Sequence, residues 1–161
     1  MKSTNLTEKK TILLVDDSPD DLALMSNLLM ELYKVKVAIS GEKALAIALS
    51  DEPPDLILLD IMMEGMDGFE VCWRLKHDHK TLNIPVIFLS VKDAAEDEKK
   101  GLELGAVDYI TKPITPSVIL ARVKNHLAVK AQTDRLVDQN DNLEIELSRL
   151  QGPDGLNAPD K

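Results

Sequence analysis

Leu56–Gly68 reads LILLDIMMEGMDG, and it opens with four aliphatic residues in an unbroken row. Pro53 and Pro54 lie just upstream, and a loop carrying Glu64, Gly65 and Asp67 follows. A short apolar run bounded by turn residues is the pattern of a strand covered on both faces, as in a parallel sheet. Parallel sheets hold their ligands at the carboxyl ends of their strands, and Asp60 sits at that end. A carboxylate placed straight after four buried aliphatics is costly unless it is paired or bound to a metal. Taken alone, Asp60 reads equally well as such a paired or metal-bound carboxylate and as an ordinary helix cap or turn residue. The ends of the other strands decide between these readings.

On the N-terminal side, Thr11–Val15 (TILLV) is a second apolar run, and it ends in Asp16-Asp17. Ser18 as cap, Pro19 at the first helical position and Asp21 in the first turn mark a helix start. Leu22, Leu24, Met25, Leu28, Leu29 and Leu32 carry that helix to about Tyr33. Lys34–Ile39 (KVKVAI) alternates polar and apolar, which suits an outer strand. Ser40-Gly41 opens a second helix, closed by Pro53-Pro54.

On the C-terminal side, Asp67 and Glu70 form a capping box for a third helix through about Lys76. Ile84–Leu89 (IPVIFL) is a strand ending in Ser90. Asp93 with Glu96 is expected to cap a fourth helix that ends near Gly105. Ala106–Ile110 (AVDYI) is a short strand followed by Thr111-Lys112-Pro113. Thr115-Pro116 begins a last helix with no breaker before Gly152. Five strands alternating with five helices predict an α/β fold: a five-stranded parallel sheet, doubly wound.

Composition narrows the class. A chain of 161 residues suits one domain and an extension. The single cysteine, Cys72, excludes an internal disulfide and reads as a small core residue. His77 and His79 have a metal-like spacing, but nothing nearby completes a site, so a solvated helix end is the better reading. No apolar run approaches a membrane span, and MKSTNLTEKK lacks the core of a secretory signal. A soluble cytoplasmic chain without membrane association is expected. The net charge of −9 argues against direct nucleic-acid binding.

In a parallel sheet, Asp16-Asp17, Asp60, Ser90 and Lys112 all project at one edge. Crowded carboxylates raise one another's pKa unless a cation intervenes, and a hard ion such as Mg²⁺ suits oxygen ligands. Acids, a metal, a lysine and a hydroxyl around one central carboxylate form a phosphoryl-transfer site. Asp60 is then the nucleophile and forms an acyl phosphate.

With these motifs, Lys10 to Leu127 resembles the receiver domain of the bacterial two-component response-regulator family, a flavodoxin-like fold. The resemblance implies that Asp60 takes a phosphoryl group from a histidine kinase or phosphotransfer protein. It implies that Asp17, Asp60 and the Met62 backbone carbonyl bind Mg²⁺ (or Mn²⁺), with Asp16 helping through water. It assigns Lys112 to Asp60 or its phosphate, Ser90 to a hydrogen bond with the phosphate, and Tyr109 to the aromatic that turns inward when Ser90 moves. The Lys112–Pro113 bond is expected to be cis. Two positions depart from the family pattern. Glu64 stands where proline is usual, which predicts a more mobile, more acidic loop. Val91 replaces a small residue and could crowd the site or the path of Tyr109. Met62 and Lys92 occupy positions that tune phosphoryl lifetime.

Other classes fit less well. A haloacid-dehalogenase-like phosphatase wants a second Asp two residues after the nucleophile, and Met62 is there. A dinucleotide-binding domain wants a glycine-rich turn after the first strand, and Asp16-Asp17-Ser18 is there instead; a P-loop is absent too.

The tail carries a separate message. From Thr115 to Leu150 the helical pattern is unbroken over about 35 residues, ~50 Å. Val129, Thr133, Leu136, Asn140, Leu143, Leu147 and Leu150 alternate in steps of four and three, a coiled-coil seam. Val137 and Ile145 lie off the seam and keep a single amphipathic helix open as the alternative. The expected organisation is a receiver over residues 10–127, a coiled-coil extension over 128–150, and a flexible linker over 151–161. A homodimer through the helix and a receiver face is expected. The segment ARVKNHLAVK followed by a coil resembles what joins receivers to cyclic-dinucleotide enzymes or histidine kinases, which makes a longer regulator with an output domain the expectation.

Overall fold

A computed structural model describes residues 8–91 and 94–157, with side chains through Leu150. Five strands, β1 (Thr11–Val15), β2 (Lys34–Ala38), β3 (Leu56–Asp60), β4 (Val86–Ser90) and β5 (Asp108–Thr111), alternate with five helices. The helices are α1 (Pro19–Leu29), α2 (Gly41–Ala48), α3 (Gly68–Lys76), α4 (Ala95–Glu103) and α5 (Pro116–Asn157). All strand pairs are parallel, in the order β2-β1-β3-β4-β5. The expected doubly wound α/β sheet is thus the observed one.

The strand patterns follow from position. β3 and β4 are buried at every residue, because helices cover both of their faces. β2, the alternating strand, is an edge strand and half exposed. Leu13, Val15, Ile57, Leu59, Val86 and Phe88 point into one core layer with Val71, Cys72 and Leu75 of α3. Ile12, Leu14, Leu56, Leu58, Ile87 and Leu89 point into the other, with Leu22, Met25 and Leu29 of α1 and Ile119 and Val123 of α5. That one-residue alternation along each strand builds the two layers.

Chain order reverses between β1 and β3, which leave the sheet centre in opposite directions to α1 and α3. A crevice at such a switch point is where doubly wound sheets bind ligands. The carboxyl ends of β1 and β3 bring Asp16, Asp17 and Asp60 there.

Several boundaries differ from expectation, each for a local reason. β4 starts at Val86 rather than Ile84, since Pro85 has no N–H for the ladder. β5 starts at Asp108 rather than Ala106, because the Ala106 N–H is spent on Gly101 O. That bond closes α4 through Gly105, whose φ of +112° suits a residue without a Cβ. Asp93, the expected cap of α4, lies outside the described residues; the cap position is Ala94, with no side-chain bond. α5 continues to Asn157, past Gly152 and Pro153, where a break was expected. Glycine and proline each raise the cost of a helix without forbidding one, by about 1 and 3 kcal/mol.

The chain divides into two compact units, Met1–Leu127 and Ala128–Lys161. In the second, Leu136, Asn140, Leu143, Leu147 and Leu150 are all exposed. Lys130 pairs with Asp134 one turn on, and the Thr133 hydroxyl donates to Val129 O.

Candidate functional site

The site is assembled from loops that are tied to the strands. Asp16 follows β1; its N–H donates to Ala38 O, and its carboxyl is fully buried. Asp16 Oδ1 accepts the Ser18 N–H at 3.0 Å, so the start of α1 fixes its orientation. Ser18 in turn caps α1 by accepting the Asp21 N–H. Asp60, the last residue of β3, is 6% exposed. After it, Ile61 O accepts the Gly68 N–H, and Gly68 packs so closely that an added Cβ would strike the Asp60 carbonyl oxygen. The chain therefore needs glycine there to bring the start of α3 against Asp60.

Carboxylate oxygens of Asp16, Asp17 and Asp60 lie within 4.8 Å of one another. Lys112, just after β5, reaches across: its Nζ is 2.9 Å from Asp16 Oδ2, 3.0 Å from Asp21 Oδ2 and 3.4 Å from Asp60 Oδ1. The expected pairing of Lys112 with Asp60 is present, but it is the longest of three. The Lys112–Pro113 bond is cis.

The electrostatics are those of a charge cluster with too few cations. Burial pushes the Asp60 carboxyl up, the neighbouring Asp16 charge pushes it further, and Lys112 pulls it back; the result is about 7. Burial pulls the Lys112 ammonium down, but hydrogen bonds to Asp16 and Asp21 and the charges of Asp60 and Asp16 outweigh this and raise it. Three hard oxygen donors at one strand edge, those of Asp16 and Asp60 buried and that of Asp17 open to solvent, suit a small divalent cation.

Ser90 ends β4 and is buried, but its hydroxyl is turned to α4, where it donates to Glu98 Oε2 at 3.1 Å. Tyr109 on β5 is half-buried against the core layer that holds Phe88. The Met62 side chain is exposed, as is Val91 at 52%; a side chain turned out to that extent argues against Val91 crowding the site. Lys92 lies outside the described residues. The loop at Glu64 is more anchored than expected: its N–H donates to Asp17 Oδ2 at 3.3 Å, a bond that proline could not make.

Four features went unforeseen. Asp21 read as a first-turn acid, and Glu98 was not singled out. The use of the Glu64 N–H was signalled only by the missing proline. The fourth is a cluster that fastens α5 to β5: Arg122 Nη1 lies 2.8 Å from both Asp108 Oδ1 and Tyr109 O, and His126 Nε2 lies 2.9 Å from Asp108 Oδ2.

Comparison with known proteins agrees with this fold. Residues 12–124 match the response regulator receiver domain family model. The chain is 51% identical over 142 residues to a protein of Vibrio cholerae named a probable cyclic di-GMP phosphodiesterase, covering 88% of this chain and 32% of that one. It is 45% identical over 126 residues to the response regulator PleD of Caulobacter vibrioides, covering 78% of this chain and 28% of that one. Among solved structures, the chemotaxis protein CheY4 of Vibrio cholerae aligns at a TM-score of 0.68 with 28% identity, over 73% of this chain and 98% of that one. The chain thus spans about a third of the length of the first two relatives. Among the described residues, no helix is long and apolar enough to cross a membrane.

Proposed function

This chain belongs to the response-regulator receiver family, and on that premise we propose that Asp60 is its phosphorylation site. Receivers of this family accept phosphoryl groups in signal transduction, and the phosphatase reading of Asp60 has no support beside that membership. The observation that carries the assignment is Asp60 itself, a nearly buried carboxyl that shares its strand edge with two further carboxylates and one ammonium.

Asp17, Asp60 and the Met62 carbonyl would hold Mg²⁺ (Mn²⁺ serves as well), with Asp16 through water. Bound there, the cation supplies charge neutralisation between the nucleophile and the incoming anion. Asp60 Oδ attacks phosphorus on the phosphohistidine of a kinase or phosphotransfer partner. The P–O bond forms as the P–N bond breaks, and the electron pair leaves with the imidazole, which takes a proton. Lys112 balances charge on the phosphoryl oxygens. Ser90, released from Glu98, donates to one of them, and Tyr109 turns inward behind it. Deletion of Ser90's option, by Ser90→Ala, is expected to leave transfer possible and to blunt the switch.

Residues 10–127 are the receiver in this reading, 128–150 a coiled-coil extension and 151–161 a linker. The exposed leucines of 128–150 support a homodimer through α5. The name carried by the Vibrio cholerae relative favours cyclic di-GMP hydrolysis as the output that this receiver controls.

The test is incubation with acetyl phosphate or a phosphorylated partner, with and without EDTA. One phosphoryl group per chain is expected, lost in Asp60→Asn and prevented by EDTA. Label retained by Asp60→Asn sinks the assignment, and transfer indifferent to EDTA sinks the metal.

A further inference from the structure

We propose that Asp21, in the first turn of α1, is a positioning residue for Lys112. It draws the lysine ammonium toward α1 and so loosens its hold on the anion that Asp60 carries. The inference rests on Asp60 being the phosphoryl acceptor.

An ammonium has three N–H donors, and here three carboxylates compete for them. The two short contacts go to Asp16 and Asp21, and Asp60 is left with the longest, at 3.4 Å. Asp16 is fully buried and held by the Ser18 N–H, so its claim on Lys112 is fixed by the backbone. Asp21 is the partner on the open side; its side chain is 36% exposed. Ser18 ties the two together, donating its N–H to Asp16 and accepting the Asp21 N–H. The spacing of the two carboxylates that hold Lys112 is therefore set by a helix cap.

A phosphoryl group on Asp60 adds up to about two negative charges and draws Lys112 toward β3. Every part of that movement works against the Asp21 carboxylate. The ordinary account of Asp21 is a first-turn acid favoured by the helix dipole. Asp20 fills that role equally from the neighbouring position, yet makes no ion pair with Lys112. The two acids separate the accounts.

The experiment measures beryllofluoride binding to the full chain with Mg²⁺, by fluorine NMR, in wild type, Asp21→Asn and Asp20→Asn. Asparagine keeps the shape and one acceptor but removes the charge. Asp21→Asn is expected to bind about two- to five-fold more tightly, the range of a partly exposed ion pair, with the gain in the dissociation rate. Asp20→Asn is expected to match wild type. Unchanged or weaker binding by Asp21→Asn overturns the proposal, and so does an equal gain in Asp20→Asn, which would make the effect one of general charge. If wild type itself fails to bind beryllofluoride at Asp60, the phosphoryl-acceptor reading fails first and takes this one with it.

Discussion

At neutral pH the Asp60 carboxyl stands near its own titration midpoint, about 7, when only the chain's own charges surround it. Its value in an unfolded chain is the ordinary one of about 4. The folded chain thus keeps a proton that the unfolded chain has released, and the linkage has a definite sign. Asp60's contribution to stability is complete below about pH 4 and is lost as pH rises through about 7. Asp60→Asn removes that loss. In EDTA the variant is expected to exceed wild type in urea denaturation by a few kcal/mol at pH 8, and by much less at pH 5. Millimolar Mg²⁺ is expected to narrow the gap at pH 8, because the cation takes over the proton's role. A gap that stays constant with pH would refute the buried, charge-crowded environment assigned to Asp60. The proposed function fits this cost: were Asp60 the phosphoryl acceptor, a carboxyl poised between protonated and ionised would be readily ionised by a cation before it faced the incoming group.

Elements place these residues, and two glycines, Gly65 in the β3–α3 loop and Gly68 at the start of α3, separate placement from loop strain. Gly68 seats α3 against the Asp60 carbonyl, where a Cβ has no room. Gly65, at φ +76°, has open space around it and needs glycine only for its backbone angle. Gly68→Ala is expected to cost about 1–3 kcal/mol as an overpacking change and to slow phosphorylation by acetyl phosphate. Gly65→Ala is expected to cost about 1 kcal/mol with a near-normal rate. Equal rates in the two variants would mean that the seat of α3 does not position Asp60. The same division explains what the sequence disclosed. The strands were legible because burial on both faces writes itself as unbroken runs such as LILLD. Asp16, Asp17, Asp60, Ser90 and Lys112 were legible because each ends or follows a strand. Asp21, Glu98, Arg122 and His126 were not, since each is a polar residue on a helix surface and acquires a partner only through the third dimension. The Asp108 carboxylate meets Arg122 and His126 across 14 and 18 residues of chain, and no local pattern records such a pairing.

For the molecule as a whole, the open question is what the second unit, Ala128–Lys161, does with its apolar side chains. Leu136, Leu143, Leu147 and Leu150 are 65%, 62%, 56% and 75% exposed in a single chain. Burying a leucine is worth about 1.5–3 kcal/mol, so four on one seam give a second copy enough to gain, against an association cost of about 4 kcal/mol or more. Asn140 lies in the same seam. In a parallel, in-register pair it meets its own copy and the two amides satisfy each other; in an antiparallel pair it meets leucine and loses its hydrogen bonds. The seam spans about three heptads, so the pair is expected to be concentration-dependent rather than permanent. Sedimentation of the full chain is expected to show a dimer in the micromolar range, and a chain ending at Leu127 is expected to show less. Asn140→Leu is expected to strengthen association while admitting other orders or orientations, as cysteine cross-linking at the two ends of the seam would report. If the full and shortened chains are both monomeric at high micromolar concentration, with or without beryllofluoride, the dimer is excluded. If association persists and Asn140→Leu alters neither its order nor its orientation, the dimer stands and Asn140 has no part in its register.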